Sequence, residues 1–369
     1  MFSDFMKRVE GHLSKELPFV VYRKPNSKEI NCILQKDSKL YHTSDYSEKG
    51  FVFAPFNADR PTVLMPLDEL IRTECIEIER IAKRGDDILE GNVKEMEFHL
   101  NLVQKGVHQI KKGKFDKVVL SRKFEVDCLE SPLKIFQDLI STYNSAFCYL
   151  WYHPKVGMWL GATPEILLRT ENNRLTTMSL AGTKPFIFKE SPSWGQKELD
   201  EQLIVTNYIV NALKGRVTKI EVSEVESVRA GNLWHLRTKL TGVFQNNLNG
   251  VINALHPTPA ICGMPLPSAR KFIQEHENYN REYYTGFLGE LNFKEEIDRS
   301  SNSRNQENKS YRAIKTKTEL FVNLRCMQMV SGKAIIYVGG GITKDSIPEN
   351  EWLETIVKSK TILSILAKN

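Results

Sequence analysis

Apolar residues recur along this chain at two spacings, and the spacings sort it into strands and helices. Alternating or continuous runs rich in β-branched and aromatic residues predict strands over 18–22, 50–55 and 62–66. Met96, Leu100, Val103, Val107 and Ile110 recur at helical spacing and predict an amphipathic helix over 93–112. A strand over 118–120 follows, with Lys117 and Arg122 at its ends. Next come a helix over 132–142, an aromatic strand over 147–152 and a strand ending at Gly161. A tight Ala162-Thr163-Pro164 turn then presents Glu165. Alternation over 175–179 predicts a strand that breaks into a sharp turn across 180–185 and a loop over 186–194. The next helix has Leu203, Ile204, Tyr208 and Ile209 as its apolar stripe. Strands are predicted over 220–228 and 233–242, and a short helix ends over 252–255. The two prolines after His256 make a stiff, extended segment. A helix over 267–277 precedes a strand that opens over 283–290. Residues 319–329 predict one buried strand with Asn323 and Arg325 on the same face. The strand over 333–338 runs into a three-glycine turn at 339–341, and a helix runs from about residue 349 to the end. Residues 297–309 are polar almost throughout and predict a flexible surface insertion.

Composition narrows the class. The 369 residues are 41% hydrophobic and 26% charged, the balance of a soluble globular chain large enough for one big domain or two ordinary ones. No apolar run reaches bilayer-spanning length, and the N-terminus has no apolar signal core, so neither a membrane partner nor secretion is expected. Six scattered cysteines without a CxxC pair argue against zinc, haem and dithiol motifs and suit a cytoplasmic protein. The net charge of +6 comes from interleaved acids and bases. That is too diffuse for a nucleic-acid interface and compatible with a small anionic substrate.

The candidate chemistry is modest residue by residue. Glu198 and Glu201 lie i, i+3 on one helix, as do Glu351 and Glu354 on another, with Lys358 on the same face as the second pair. Two such pairs can supply the hard oxygen ligands that Mg²⁺ takes, although each alone reads as a solvated helix face. Lys117 at a strand mouth would give up its proton more readily if buried. Glu165, followed by Ile166 and Leu167, would have its pKa raised by desolvation, as a general acid needs; a plain turn carboxylate is the alternative. Arg325 in an apolar strand requires an anionic partner, because an unpaired buried charge is costly. The glycines at 339–341 leave amides free to meet an anion.

Read together, these segments resemble the chorismate-utilising enzymes, and within them the isochorismate synthases of the menaquinone or siderophore type. The resemblance covers roughly residues 95–365 and rests on DKVVLSR, GATPEILL, SLAGTKP, KELDEQ, LHPTPAICGMP, REYYTGFLGE, ELFVNLRCMQ and GGGITKDSIPENEWLETIVKSK, in the family's order. It implies an α+β fold of two large, mostly antiparallel sheets packed together with helices outside. It also implies a chorismate-binding catalytic domain over 96–369, to which residues 1–95 add a sheet-forming part of the same unit. Lys117 matches the general base acting on water and Glu165 the general acid at the departing C4 hydroxyl. Glu201 and Glu354 match direct Mg²⁺ ligands, and Glu198 and Glu351 match carboxylates holding metal-bound water. Gly182, Thr183, His256, Ala260, Ile261, Tyr284, Arg325, Gly339, Gly341 and Lys358 match substrate-binding positions.

The implied reaction is the Mg²⁺-dependent conversion of chorismate to isochorismate, with water attacking C2. A monomer is expected. Ala181 stands where aminodeoxychorismate synthases often carry a nucleophilic lysine, and the water-activating lysine that anthranilate synthases lack is present as Lys117. Gln202 follows Glu201 where many relatives have histidine. The alternatives are a salicylate synthase that also eliminates pyruvate, an aminating enzyme, or a catalytically dead homologue.

Overall fold

The computed structural model of the protein describes residues 2–57, 59–75, 92–186, 191–230, 233–245, 247–298 and 312–366. The chain opens with α1 (Phe2–Leu13), β1 (Phe19–Arg23), β2 (Glu29–Leu34), β3 (Tyr41–Thr43), β4 (Gly50–Ala54), β5 (Thr62–Pro66) and β6 (Glu69–Glu74). There follow α2 (Val93–Lys111), β7 (Lys117–Asp127), α3 (Pro132–Thr142), β8 (Phe147–His153), β9 (Gly157–Thr163), β10 (Ile166–Glu171) and β11 (Arg174–Pro185). Then come α4 (Gln196–Leu213), β12 (Val217–Val222), β13 (Glu226–Ala230), β14 (Leu233–Phe244), α5 (Leu248–Leu255), β15 (Gly263–Met264) and α6 (Leu266–His276). The last elements are β16 (Phe287–Asp298), β17 (Arg312–Val322), β18 (Cys326–Val330), β19 (Lys333–Ile342) and α7 (Pro348–Leu366).

The strands form two antiparallel sheets. A nine-stranded sheet runs β15-β7-β19-β18-β9-β8-β1-β2-β6, and a ten-stranded one runs β12-β14-β11-β10-β17-β16-β4-β5-β3 with β13 paired to β14. Strand β1 explains the layering. Val20 and Tyr22 point into an aromatic core between the sheets, while Phe19 and Val21 point to an outer core with α1, α3 and α7. A strand buried on both faces reads as an unbroken apolar run, which is how 18–22 reads. In the middle layer Phe147 of one sheet stacks on Phe321 of the other at 4.2 Å between ring centroids. Helices α4 and α5 cover the outer face of the second sheet, and α2 and α6 pack around β7 and β15. Strands β1, β2 and β6 extend the first sheet, and β3 to β5 extend the second. The expected boundary between residues 95 and 96 falls inside α2.

Several elements differ from expectation, each for a local reason. The single strand expected over 319–329 is two, β17 and β18, one in each sheet. Arg325 between them has φ of +49°, so the chain turns and Arg325 shares no strand face with Asn323. Strand β9 continues past Gly161 to Thr163, and Pro164 and Glu165 link it across to β10 in the other sheet. The sharp turn expected at 180–185 is a bulge inside β11, at Gly182 (φ +67°) and Thr183. The strand expected over 220–228 is divided into β12 and β13, which both pair with β14. The glycines at 339–341 form no turn: they continue β19 and pair with β7, Gly339 opposite Ser121 and Gly341 opposite Val119. The buried stripe of α4 is Gln202, Val205, Ile209 and Leu213, which leaves Leu203 exposed. In α7 the buried stripe includes Glu351 beside Trp352, while Ile356 and Val357 are half-buried. Most of the polar stretch 297–309 lies outside the described residues, β16 ending at Asp298.

Candidate active site

Two crossings between the sheets build the centre of the cleft. Pro164–Glu165 carries the chain from β9 to β10, and 323–325 carries it back from β17 to β18. The links are laced together: Ala162 N–H donates to the Arg325 carbonyl (3.0 Å), and Val322 N–H donates to the Glu165 carbonyl (3.0 Å). Glu165 and Arg325 therefore reach one cleft from adjacent links. The cleft is open at its mouth and its interior space is about 90 Å³. Glu165 is only 5% exposed, and burial pushes its carboxyl up to about 7 against the pull of Lys117, Lys358 and Arg325.

Strand β19 and helix α7 form the cationic wall. Lys358 donates to the Gly339 carbonyl (2.9 Å), so that carbonyl faces away from β7. The N–H of Gly339 lies on the same edge, and so does that of Gly341 two residues on. The pairing of β18 with β19 ends at Ile336, which leaves this edge to the cleft. Arg325 Nη1 donates to Thr361 Oγ1 (2.9 Å). The anionic protein partner expected for it is not found: among the described residues no carboxylate lies within ion-pair distance of Arg325. Burial lowers its pKa, which Tyr284, Tyr143, Glu354 and Glu165 only partly offset. Tyr284 stacks on Tyr337 at 5.4 Å, and Ala260, Ile261, Gly182 and Thr183 complete the lining.

The carboxylates gather around the glycines, each held by a lysine, and Glu201 and Glu354 reach the cleft lining. Lys117, 0% exposed, lies 2.7 Å from Glu201; Lys358 lies 2.6 Å from Glu354; Lys197 lies 2.8 Å from Glu351. Burial alone would push Glu201 up, but Lys117, Lys358 and Lys197 together hold it below its ordinary value. Glu351 is raised by burial and then by Glu354, despite Lys197. A Cβ on Gly341 would collide with Glu201 Oε1, and one on Gly340 would stand 3.5 Å from Glu351 Oε2 and 3.6 Å from Glu354 Oε1. Glycine is what lets the strand pass so close to these groups.

As a donor set, Glu201, Glu351 and Glu354 fit a hard divalent cation. The elevation of Glu351 by burial and by the neighbouring Glu354 is the strain such an ion would relieve. In this arrangement no three carboxylates, imidazoles or thiols among the described residues converge on one point.

Four of the candidate residues lie outside the lining, among them Lys117, which is fully buried against Glu201. Glu198 accepts from Gly195 N–H (2.8 Å) and caps α4, and its Cβ packs against the Gly182 bulge. Glu351 lies behind Glu354, 2% exposed. His256 does not line the cleft: its Nε2 donates to the Thr285 carbonyl (3.0 Å), its ring meets Phe287 edge-on, and burial lowers its pKa to about 4. A different histidine does line it. His235 on β14 lies 2.9 Å from the Gly182 carbonyl through Nδ1, so Nδ1 carries the proton and Nε2 accepts. That Nε2 lies 3.5 Å from Arg325 Nη2, and burial lowers the imidazole to about 3. One histidine in an alternating strand carries no distinguishing signal in sequence. Lys197, one residue before the first acidic pair, also went unremarked.

The chain has relatives among known proteins by sequence. The family described as chorismate binding enzyme matches residues 76–298, and a second chorismate binding enzyme family matches 311–364. The isochorismate synthase EntC of Escherichia coli K12 is 29% identical over 265 residues, covering 68% of this chain and 62% of its own length, so the match spans under two thirds of that relative. Isochorismate synthase DhbC of Bacillus subtilis is 27% identical over 73% of this chain and 68% of its own, and the anthranilate synthase component 1 of Aquifex aeolicus is 26% identical over 78% and 59%. Among solved structures, the putative 2,3-dihydroxybenzoate-specific isochorismate synthase DhbC of Bacillus anthracis superposes with a TM-score of 0.77 at 22% identity, covering 98% of this chain and all of that one. The menaquinone-specific MenF of Escherichia coli gives 0.73 at 19%, covering 95% and 89%. With a family match over more than half its length and a cleft built from that family's motif segments, this chain belongs to the chorismate-binding enzymes.

Proposed function

We propose that the protein is an isochorismate synthase, converting chorismate to isochorismate for menaquinone or siderophore synthesis. The observation that carries the reading is Glu165: a carboxyl held near neutrality by burial, in the cleft that Lys358 and Arg325 also line. A reaction that expels a hydroxyl on one side and admits water on the other needs an acid and a base in opposed protonation states. Lys117 is assigned as base. Its nitrogen is engaged by Glu201 in this arrangement, and it must leave that contact and release a proton to solvent before it can take one from the attacking water. Water then attacks C2, the ring double bonds shift, and the C4–O bond breaks as Glu165 gives its proton to the departing oxygen. Lys117 ends with one proton more and Glu165 with one fewer, so the ring is isomerised and water is conserved.

Arg325 and Lys358, with the outward N–H groups of Gly339 and Gly341, are suited to hold the two carboxylates of the substrate. Among the described residues Arg325 has no carboxylate partner, and it would find one there. Tyr284, Ala260, Ile261, Gly182 and Thr183 are assigned to the walls around the ring. Glu201 and Glu354, backed by Glu351, would hold Mg²⁺, which supplies charge to bind a substrate carboxylate. His235 keeps Arg325 aimed by presenting Nε2 to it.

The test is a product assay on purified protein with chorismate and Mg²⁺, following isochorismate and pyruvate separately. Isochorismate without pyruvate is expected. Release of pyruvate with salicylate would replace this reading with a salicylate synthase, and ammonia-dependent anthranilate would replace it with an aminating enzyme.

A further inference from the structure

Behind the cleft lies a buried ion pair that is not part of its lining, and its hydrogen bonds reach three residues that are. Glu277 and Arg281 lie between α6 and β16, their side chains 1% and 2% exposed. All five N–H groups of Arg281 are used. Nε and Nη2 donate to the two Glu277 oxygens (2.8 and 2.6 Å), and Nη2 also donates to the Val119 carbonyl (2.7 Å). Nη1 donates to the Ile261 carbonyl (3.0 Å) and to Thr285 Oγ1 (3.4 Å). Glu277 Oε1 accepts in turn from Ser121 N–H and Ser121 Oγ, each at 2.8 Å. Val119, Ile261 and Thr285 all line the cleft.

The pair stands in for a missing strand. Strand β15 is two residues long and covers β7 only at Lys117 and Val118. Beyond it, the edge of β7 would leave the Val119 carbonyl and the Ser121 N–H without partners. Arg281 takes the first and Glu277 the second. The opposite edge of β7 pairs with Gly339–Gly341, and its first residue is Lys117.

We infer that Arg281 and Glu277 are positioning residues that set the spacing between the Lys117 strand, the 260–261 wall and the Tyr284–Thr285 turn, and so the fit of the ring. Arg281→Lys keeps a cation but loses the planar fork. Measured well below its melting temperature, this variant is expected to lose on the order of 10- to 100-fold in kcat/KM. Amide exchange is expected to quicken at 119–121 and 339–341. A purely structural role would lower the melting temperature and leave kcat, KM and local exchange of the folded protein unchanged; that result overturns the inference. Should Arg281→Lys fail to fold, Ser121→Ala removes one link without changing charge. It is expected to move both readouts the same way by less, and unchanged values there overturn the inference equally. The kinetic arm rests on the isochorismate synthase reading. The exchange arm does not, so a wild-type protein inert towards chorismate would sink that reading and leave this one to be decided by exchange.

Discussion

Glu165 sets a pH dependence that can be worked out in sign and size. Its ordinary value is 4.5, and burial brings it to about 7 in the folded protein. Below 4.5 both folded and unfolded chains hold the proton, and the group costs nothing. Between 4.5 and 7 the unfolded chain ionises first, so native stability falls by about 3 kcal/mol and stays lower above. Glu165→Gln should therefore be more stable than wild type at pH 8 and no more stable at pH 4, as read by urea denaturation; an equal difference at both would contradict the burial argument. The same group sets the alkaline limb of the kcat/KM profile, which should fall above about pH 7 as the acid ionises. Lys117→Ala should abolish turnover while circular dichroism stays native, and residual activity would remove Lys117 as base. At this scale the sequence was readable where chemistry depends on immediate neighbours. Ile166 and Leu167 announced the desolvation of Glu165. The sequence did not reveal that His235, seventy residues on, rests against Arg325, nor that His256 turns away to Thr285.

At the scale of elements, the glycine strand and α7 act as one unit. The i, i+3, i+7 spacing of Glu351, Glu354 and Lys358 held because a helix fixes it within two turns. The glycines were expected as a turn, since three in a row lack the side chains that mark a strand. They are a strand because β7 supplies the ladder, and because anything larger would displace Glu201. Gly341→Ala tests this. Its Cβ would strike Glu201 Oε1 and stand 3.0 Å from Lys117 Cε. Both are ends of side chains, so the strand can remain while those groups shift. The expected outcome is a large loss of kcat with a melting temperature close to wild type. A variant with normal kcat would show that the close approach is not needed for the chemistry.

Over the whole molecule, the aromatic layer holds the two sheets at the separation the cleft requires. Trp159 is fully buried in it, between Tyr337 at 5.3 Å and Tyr283 at 5.8 Å. Trp159→Ala should cost roughly 3–5 kcal/mol in equilibrium unfolding, since neighbours on two sheets cannot collapse together to fill the space. A cost under about 1 kcal/mol would mean the layer is loosely packed. From the amino-acid order alone came the strands and helices, the motif segments in sequence, the family and the two-sheet fold it implies. The strands and helices follow from short-range patterns, in which apolar spacing and turn residues act over a few positions; the family and its fold came from the resemblance of the motif segments. Where the chain changes sheets was decided only in three dimensions. A buried strand and a buried crossing read alike in sequence, so Pro164–Glu165 and 323–325 passed as a turn and a strand interior. Those crossings are what bring Glu165, Arg325 and His235 to one cleft, because the hydrogen bonds that lace them join residues about 160 positions apart.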